Sequence, residues 1–146
     1  LDATYVSFDE LLAQSDVVSV HANLSNETKE IFNEAAFSKM KSTAIFINTA
    51  RGGLQNEKDL TAALQHKKIW GAGLDVTNPE PMAADNPLLN MQNVCVLPHI
   101  GSATVETRAK MAVTAANNIL ALIQGKLMPQ VINKEVYGER GGGDKK

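Results

Sequence analysis

Three side chains that could bind a carboxylate and move a proton stand beside apolar segments of this sequence. Arg51 follows the apolar segment 44–47 closely and precedes two glycines, and its planar guanidinium suits a carboxylate. His99, between a proline and a glycine turn, is the best acid or base candidate of the three histidines. Glu80, flanked by two prolines, could reach His99 and stabilise the protonated ring. The set predicts carboxylate binding beside a proton donor.

Each candidate also has an ordinary structural role open to it. Arg51 could be a surface arginine that caps a sheet edge or pairs with a nearby acid. His99 could be a structural residue that caps the helix after it, and Glu80 a solvated loop acid. Asp75 follows the small-residue segment 71–74 and either faces a ligand or caps a turn. The residues alone leave these alternatives open.

The segments around these residues alternate between strand-like and helical patterns. Short apolar segments predict four strands, at 17–20, 44–47, 69–74 and 94–97. Valines 17, 18 and 20 alternate little, which is typical of a strand buried on both faces. Capping residues and apolar spacing predict helices that begin at about Ser7, Asn33, Asn56 and Ser102, the last of them running to Gln124. This alternation predicts an α/β fold with a parallel sheet and helices on both faces.

The candidate residues all follow the carboxyl ends of predicted strands. These ends are the segments 21–23, 48–53, 75–80 and 98–102. In an open parallel sheet, ligands bind in the crevice beyond such ends, where loops converge. We therefore expect the candidates to share one cleft.

Composition excludes several classes of partner. The 14 basic and 16 acidic residues are scattered and give a formal charge of -2, so neither nucleic acid nor a membrane surface is expected. The single cysteine, Cys95, lies in an apolar segment and is predicted to be a buried hydrophobe. Neither the histidines nor Cys95 have the spacing of metal ligands, so no metal is expected. These features favour a reducing, cytoplasmic location.

Three motifs in the same order resemble those of the D-isomer-specific 2-hydroxyacid dehydrogenases. They are the segments 47–53, 73–76 with Glu80 and Pro81, and 98–104. The resemblance covers about residues 15–133. The segment 115–118, followed by Met128 and Pro129, looks most like the glyoxylate and hydroxypyruvate reductases, and the sequence after Asn133 departs from their pattern.

The resemblance implies a fold and a reaction. The fold would be the C-terminal half of a Rossmann-like parallel sheet with flanking helices and a long C-terminal helix. The reaction would be hydride transfer from NADH or NADPH to a small 2-oxo acid, giving a D-2-hydroxy acid. Arg51 would hold the substrate carboxylate, His99 would protonate the carbonyl oxygen, and Glu80 would keep the imidazole protonated. Reduction would then fail at high pH. The residues implied to contact the cofactor are Asn23, Thr49, Asp75 and Gly101.

The resemblance also implies that the chain is a fragment. Residues 1–125 would be the C-terminal part of the nucleotide-binding domain with the long interdomain helix. Residues 126–137 would return to a missing substrate domain, and 138–146 would be a disordered tail. The phosphate-binding turn and the position that separates NAD from NADP would lie before Leu1. We expect the fragment to be inactive and the full-length form to be a homodimer.

Two other functions share this fold. One is a cofactor-sensing interaction protein like the transcriptional corepressors, which can retain the catalytic residues. The other is formate dehydrogenase, which the resemblance disfavours because that enzyme has a glutamine where this chain has Glu80.

Overall fold

A computed structural model of the chain describes residues 3–137, so the predicted tail at 138–146 lies outside the described residues. The chain forms two compact units, which divide between Gly101 and Ser102. The first unit contains the sheet and the second contains the longest helix. The prediction that residues 1–125 form one domain, with a remnant at 126–137, stays a prediction.

The first unit is built on a parallel sheet of four strands. The strands are β1 (Val17–Val20), β2 (Ile45–Asn48), β3 (Gly71–Leu74) and β4 (Val94–Val96), and they lie side by side in chain order. All three pairings are parallel. The four predicted strands and the parallel sheet are therefore confirmed, whereas helices on both faces stay a prediction.

The predicted helices are also present. They are α1 (Phe8–Gln14), α2 (Glu34–Lys39), α3 (Glu57–Gln65) and α4 (Val105–Ile123), with short 3-10 turns at Gly52–Leu54 and Pro87–Asn90. Each α-helix begins after a side-chain oxygen that accepts from the backbone N–H three residues on, which satisfies one unpaired donor of the first turn. The four capping residues are Ser7, Asn33, Asn56 and Thr104.

The core of the first unit packs against one face of the sheet. Phe46 of β2 is fully buried and meets Phe37 of α2 edge to face, with ring centroids 5.3 Å apart. Phe32 packs against both rings, and α3 contributes Leu60. Burial of these apolar groups fixes β2 and α3, the two elements that flank Arg51.

Two burial predictions are wrong. β1 is not buried on both faces: Val18 and Val20 are buried, whereas Val17 is 56% exposed and Ser19 is exposed. The strand forms one edge of the sheet, and only its Val18 and Val20 face meets the core. Cys95 is exposed rather than buried, because β4 is the opposite edge strand and turns its two valines, not Cys95, toward the core.

Candidate active site

The sheet brings the candidate residues to one edge. Asn48, Leu74 and Val96 are register partners at the ends of β2, β3 and β4. Arg51 follows the first by three residues, Asp75 follows the second directly, and His99 follows the third by three. The loops that carry them therefore leave the sheet together.

A buried amide pair shapes the turn that carries Arg51. Asn48 Oδ1 accepts from the Ala50 N–H at 3.0 Å, and Asn48 Nδ2 donates to the Arg51 carbonyl at 3.0 Å. The same Nδ2 donates to Gln55 Oε1 at 2.9 Å. Asn48 and Gln55 are both fully buried, and Gln55 Nε2 has no hydrogen-bond partner within residues 3–137. Asn48 thus ties both sides of the Arg51 turn, residues 49–52, to the end of β2.

The guanidinium of Arg51 is exposed at this turn. Its Nη1 donates to the Ala50 carbonyl at 2.7 Å, and among the described residues no carboxylate pairs with it. The alternative in which Arg51 pairs with a nearby acid is therefore wrong for the described chain, whereas its bond to the Ala50 carbonyl leaves a capping role at the sheet edge open. A guanidinium without an acidic partner can pair with a carboxylate from solution.

The Arg51 turn touches the loop that carries Glu80. A Cβ atom added to Gly52 would lie 1.9 Å from the Thr77 carbonyl oxygen, so only glycine permits this approach. The Glu80 loop, residues 77–86, contains no regular strand or helix. Close contact at Gly52 therefore fixes the start of the Glu80 loop relative to Arg51.

Glu80 and His99 are in contact. Glu80 Oε1 lies 2.6 Å from His99 Nδ1, and the two side chains are 42% and 47% exposed. With Nδ1 facing the carboxylate, Nε2 is left as the ring nitrogen that can meet a substrate. The alternative in which Glu80 is only a solvated acid does not describe this arrangement.

Asp75 holds the turn that carries His99. It is 6% exposed, and its two carboxylate oxygens accept from the backbone N–H groups of Ile100 at 2.7 Å and Gly101 at 2.9 Å. His99 has a φ of 55°, a left-handed conformation that costs a non-glycine residue about 1 kcal/mol. Asp75 stabilises this turn, which is a capping role. The alternative in which His99 caps α4 is wrong, because Thr104 does so.

Beside His99 lies a cavity of about 510 Å³. Its lining combines the polar groups Asp75, Thr77, Glu80 and His99 with the apolar side chains Pro81, Met82, Leu89, Val96, Leu97 and Pro98. A nicotinamide ring needs a largely apolar slot with a few polar groups for its carboxamide. The residues present fit that group, since an apolar wall and a buried carboxylate adjoin the histidine.

The other predicted cofactor contacts lie at the same strand ends. Asn23, Thr49 and Gly101 are exposed. The Asn23 carbonyl accepts from Thr28 Oγ1 at 2.7 Å, and the Gly101 N–H is taken by Asp75. Contact of these residues or of Asp75 with a cofactor stays a prediction.

Two fully buried supports of the site, Asn48 and Gln55, were not predicted from the sequence. Asn48 carried a signal, because an amide that ends a buried strand needs internal partners. Gln55 carried none, since it resembles an ordinary polar residue just before a helix. Within residues 3–137, no group of three or more metal-binding side chains is found, and no helix there has the length and apolarity needed to cross a membrane.

Known proteins share this fold and sequence. The family model of the D-isomer specific 2-hydroxyacid dehydrogenase, NAD binding domain, matches residues 1–101. The glyoxylate/hydroxypyruvate reductase B of Salmonella paratyphi B is 46% identical over 137 residues, which are 94% of this chain and 42% of that protein. The chain therefore spans less than half the length of this curated relative.

Two solved structures of relatives superimpose on the chain. D-lactate dehydrogenase with NAD+ from Lactobacillus jensenii has a TM-score of 0.83 and 31% identity, over 90% of this chain and 43% of its own. NADPH-dependent glyoxylate/hydroxypyruvate reductase from Sinorhizobium meliloti, in complex with NADP and malonate, has a TM-score of 0.79 and 33% identity, over 84% and 39%. The Rossmann-like fold is thus confirmed, and these relatives give no support to the corepressor alternative. The chain belongs to the NAD-binding domain family of the D-isomer specific 2-hydroxyacid dehydrogenases.

Proposed function

We propose that the full-length protein that carries this chain reduces a small 2-oxo acid, of the glyoxylate or hydroxypyruvate type, to a D-2-hydroxy acid. The observation that carries the proposal is the 2.6 Å contact between Glu80 and His99, which provides a proton donor on the sheet edge shared with Arg51. The 46% identity to a glyoxylate/hydroxypyruvate reductase supports the substrate class.

Three residues of this chain each have one role in the reaction. Arg51 pairs with the carboxylate of the 2-oxo acid through its exposed guanidinium and orients the carbonyl group. NADH or NADPH, when bound, would supply the hydride that reduces the carbonyl carbon. His99 donates the Nε2 proton to the carbonyl oxygen, and the neutral ring then regains a proton from solvent. Glu80 stabilises the imidazolium before the transfer.

The relatives support the cofactor, whereas the assembly is proposed from the family resemblance alone. Relatives with NAD+ and with NADP support a nicotinamide nucleotide of either kind. We place Asn23, Thr49, Asp75 and Gly101 beside it. We also propose a cytoplasmic homodimer for the full-length form, which light scattering and cell fractionation test. Within it, residues 1–125 serve the nucleotide-binding domain.

The test is turnover by the full-length protein. It should oxidise NADH or NADPH in the presence of glyoxylate or hydroxypyruvate. His99→Ala should lower turnover by a factor of about 10² to 10⁴ and change the cofactor dissociation constant by less than about threefold, because the imidazole moves the proton but is one of ten residues that line the cavity. Turnover retained by His99→Ala would end the assignment of the proton donor.

A further inference from the structure

The Glu80 loop is tied at both ends to one carboxylate outside the cleft. Glu57, the first residue of α3, accepts from the Asn78 N–H through Oε2 at 3.2 Å. Its other oxygen, Oε1, accepts from Asn86 Nδ2 at 2.5 Å. Glu57 and Asn86 are both half-buried. One side chain therefore spans the base of the segment in which Glu80 lies.

Helix capping does not account for these two bonds. α2 and α3 both begin with an asparagine cap followed by a glutamate, Asn33–Glu34 and Asn56–Glu57. In both helices the asparagine side chain takes the free backbone N–H, and a glutamate in the first turn complements the dipole. Within residues 3–137, no hydrogen bond reaches the Glu34 carboxylate, whereas Glu57 binds groups 21 and 29 residues away.

The other contacts of the Glu80 loop are apolar or local: Met82 packs against the core, and the Asn86 N–H donates to the Ala83 carbonyl at 3.0 Å. Thr77 Oγ1 donates to the Pro79 carbonyl at 2.9 Å, and Gly52 contacts Thr77 at the loop's start. Residues 78–81 are exposed. Hydrogen bonds to a carboxylate are stronger than neutral ones, so the two bonds of Glu57 are the strong polar contacts at the base of this loop.

We propose that Glu57 is a positioning residue for proton transfer: it holds the Glu80 loop so that Glu80 stays within 2.6 Å of His99 Nδ1. The inference rests on the proposed function for its catalytic consequence only. Movement of the loop by about 1 Å would break the Glu80 contact and slow the chemical step. Arg51 lies on another turn, so binding of the substrate carboxylate would be spared.

The first test compares single variants of the full-length protein. Glu57→Ala should lower kcat about tenfold and change the KM for the 2-oxo acid less than about twofold. Asn86→Asp should do the same, because it sets a second carboxylate against Glu57 while its remaining oxygen can still accept from the Leu88 N–H. Glu34→Ala is the matched control, since it removes a first-turn glutamate without touching the loop, and its kcat should be unchanged.

The second test exchanges donor and acceptor. In Glu57→Gln with Asn86→Asp, the glutamine oxygen can accept from the Asn78 N–H while its nitrogen donates to the new carboxylate. The pair keeps the original net charge and should recover kcat to within about threefold of the unmodified enzyme. Recovery by this exchange would separate positioning from a general loss of stability, which thermal denaturation of every variant monitors.

A third readout needs neither cofactor nor substrate. Amide hydrogen exchange at Asn78 should rise about tenfold in Glu57→Ala and stay unchanged in Glu34→Ala. Unchanged Asn78 exchange, unchanged kcat in Glu57→Ala, or a rise in KM alone would each overturn the proposal. If no 2-oxo acid is reduced by the unmodified enzyme, the proposed function fails, and the Asn78 exchange still decides whether Glu57 holds the loop.

Discussion

Asn48 is the residue on which the Arg51 turn depends. Its amide makes three hydrogen bonds, to Ala50, Arg51 and Gln55, from a fully buried position at the end of β2. Its backbone carbonyl also accepts from the Asp75 N–H at 2.9 Å. A single side chain and its own backbone therefore connect the Arg51 turn to the strand that carries Asp75.

Removal of this amide should cost stability. Asn48→Ala leaves the Ala50 N–H and Gln55 Oε1 without their partner and removes one of the two donors to the Arg51 carbonyl, and we expect the free energy of unfolding to fall by about 2 to 4 kcal/mol. Urea denaturation measures it. Asn26→Ala, at an exposed asparagine, should change the free energy by less than about 0.5 kcal/mol. Equal losses in the two variants would contradict this role.

Some residues of the site could be predicted from the sequence and others could not. Arg51 and His99 stand at strand ends beside glycine or proline, so their exposure at the carboxyl edge of the sheet could be predicted. The contact between Glu80 and His99 followed from chemical complementarity. The supports Gln55 and Glu57 could not be predicted, because their partners lie on loops whose path depends on tertiary packing.

At the scale of elements, local signals determined most boundaries. Asparagine, serine or threonine caps preceded every α-helix, and short β-branched or apolar segments formed the strands. Burial was harder to predict than element type. β1 and β4 are the sheet edges, and the sequence pattern of an edge strand in this sheet resembles that of a central one, so Val17 and Cys95 were misjudged.

The contact between two loops gives a prediction at this scale. Gly52→Ala places a methyl group 1.9 Å from the Thr77 carbonyl oxygen, so the Arg51 turn and the Glu80 loop must separate. We expect a loss of about 3 kcal/mol in the free energy of unfolding and a fall in kcat/KM. Gly53→Ala is the control, since its Cβ would meet only the flexible Leu24 side chain, at 3.0 Å. Thermal denaturation that ranks Gly53→Ala as the more damaging change would refute this.

At the scale of the whole molecule, parallel topology is what assembles the site. Arg51, Asp75, Glu80 and His99 all belong to the unit that ends at Gly101. Parallel strands in chain order place each following loop at the same edge, and this convergence could be predicted from the alternation of strands and helices.

The burial of the second unit, by contrast, could not be predicted. None of the residues of α4 is buried in the described chain, and the sequence could not indicate this because the helix has a regular apolar spacing.

The central claim is that Glu80 and His99, 19 residues apart in the chain, act as one proton-donating unit. A double-mutant cycle of kcat/KM for 2-oxo acid reduction tests it most directly, with Glu80→Gln, His99→Ala and the double variant of the full-length protein. If Glu80 acts through the imidazole, Glu80→Gln should lower kcat/KM about tenfold or more in the unmodified enzyme and have no effect once His99 is alanine. Independent effects that multiply in the double variant would contradict the account.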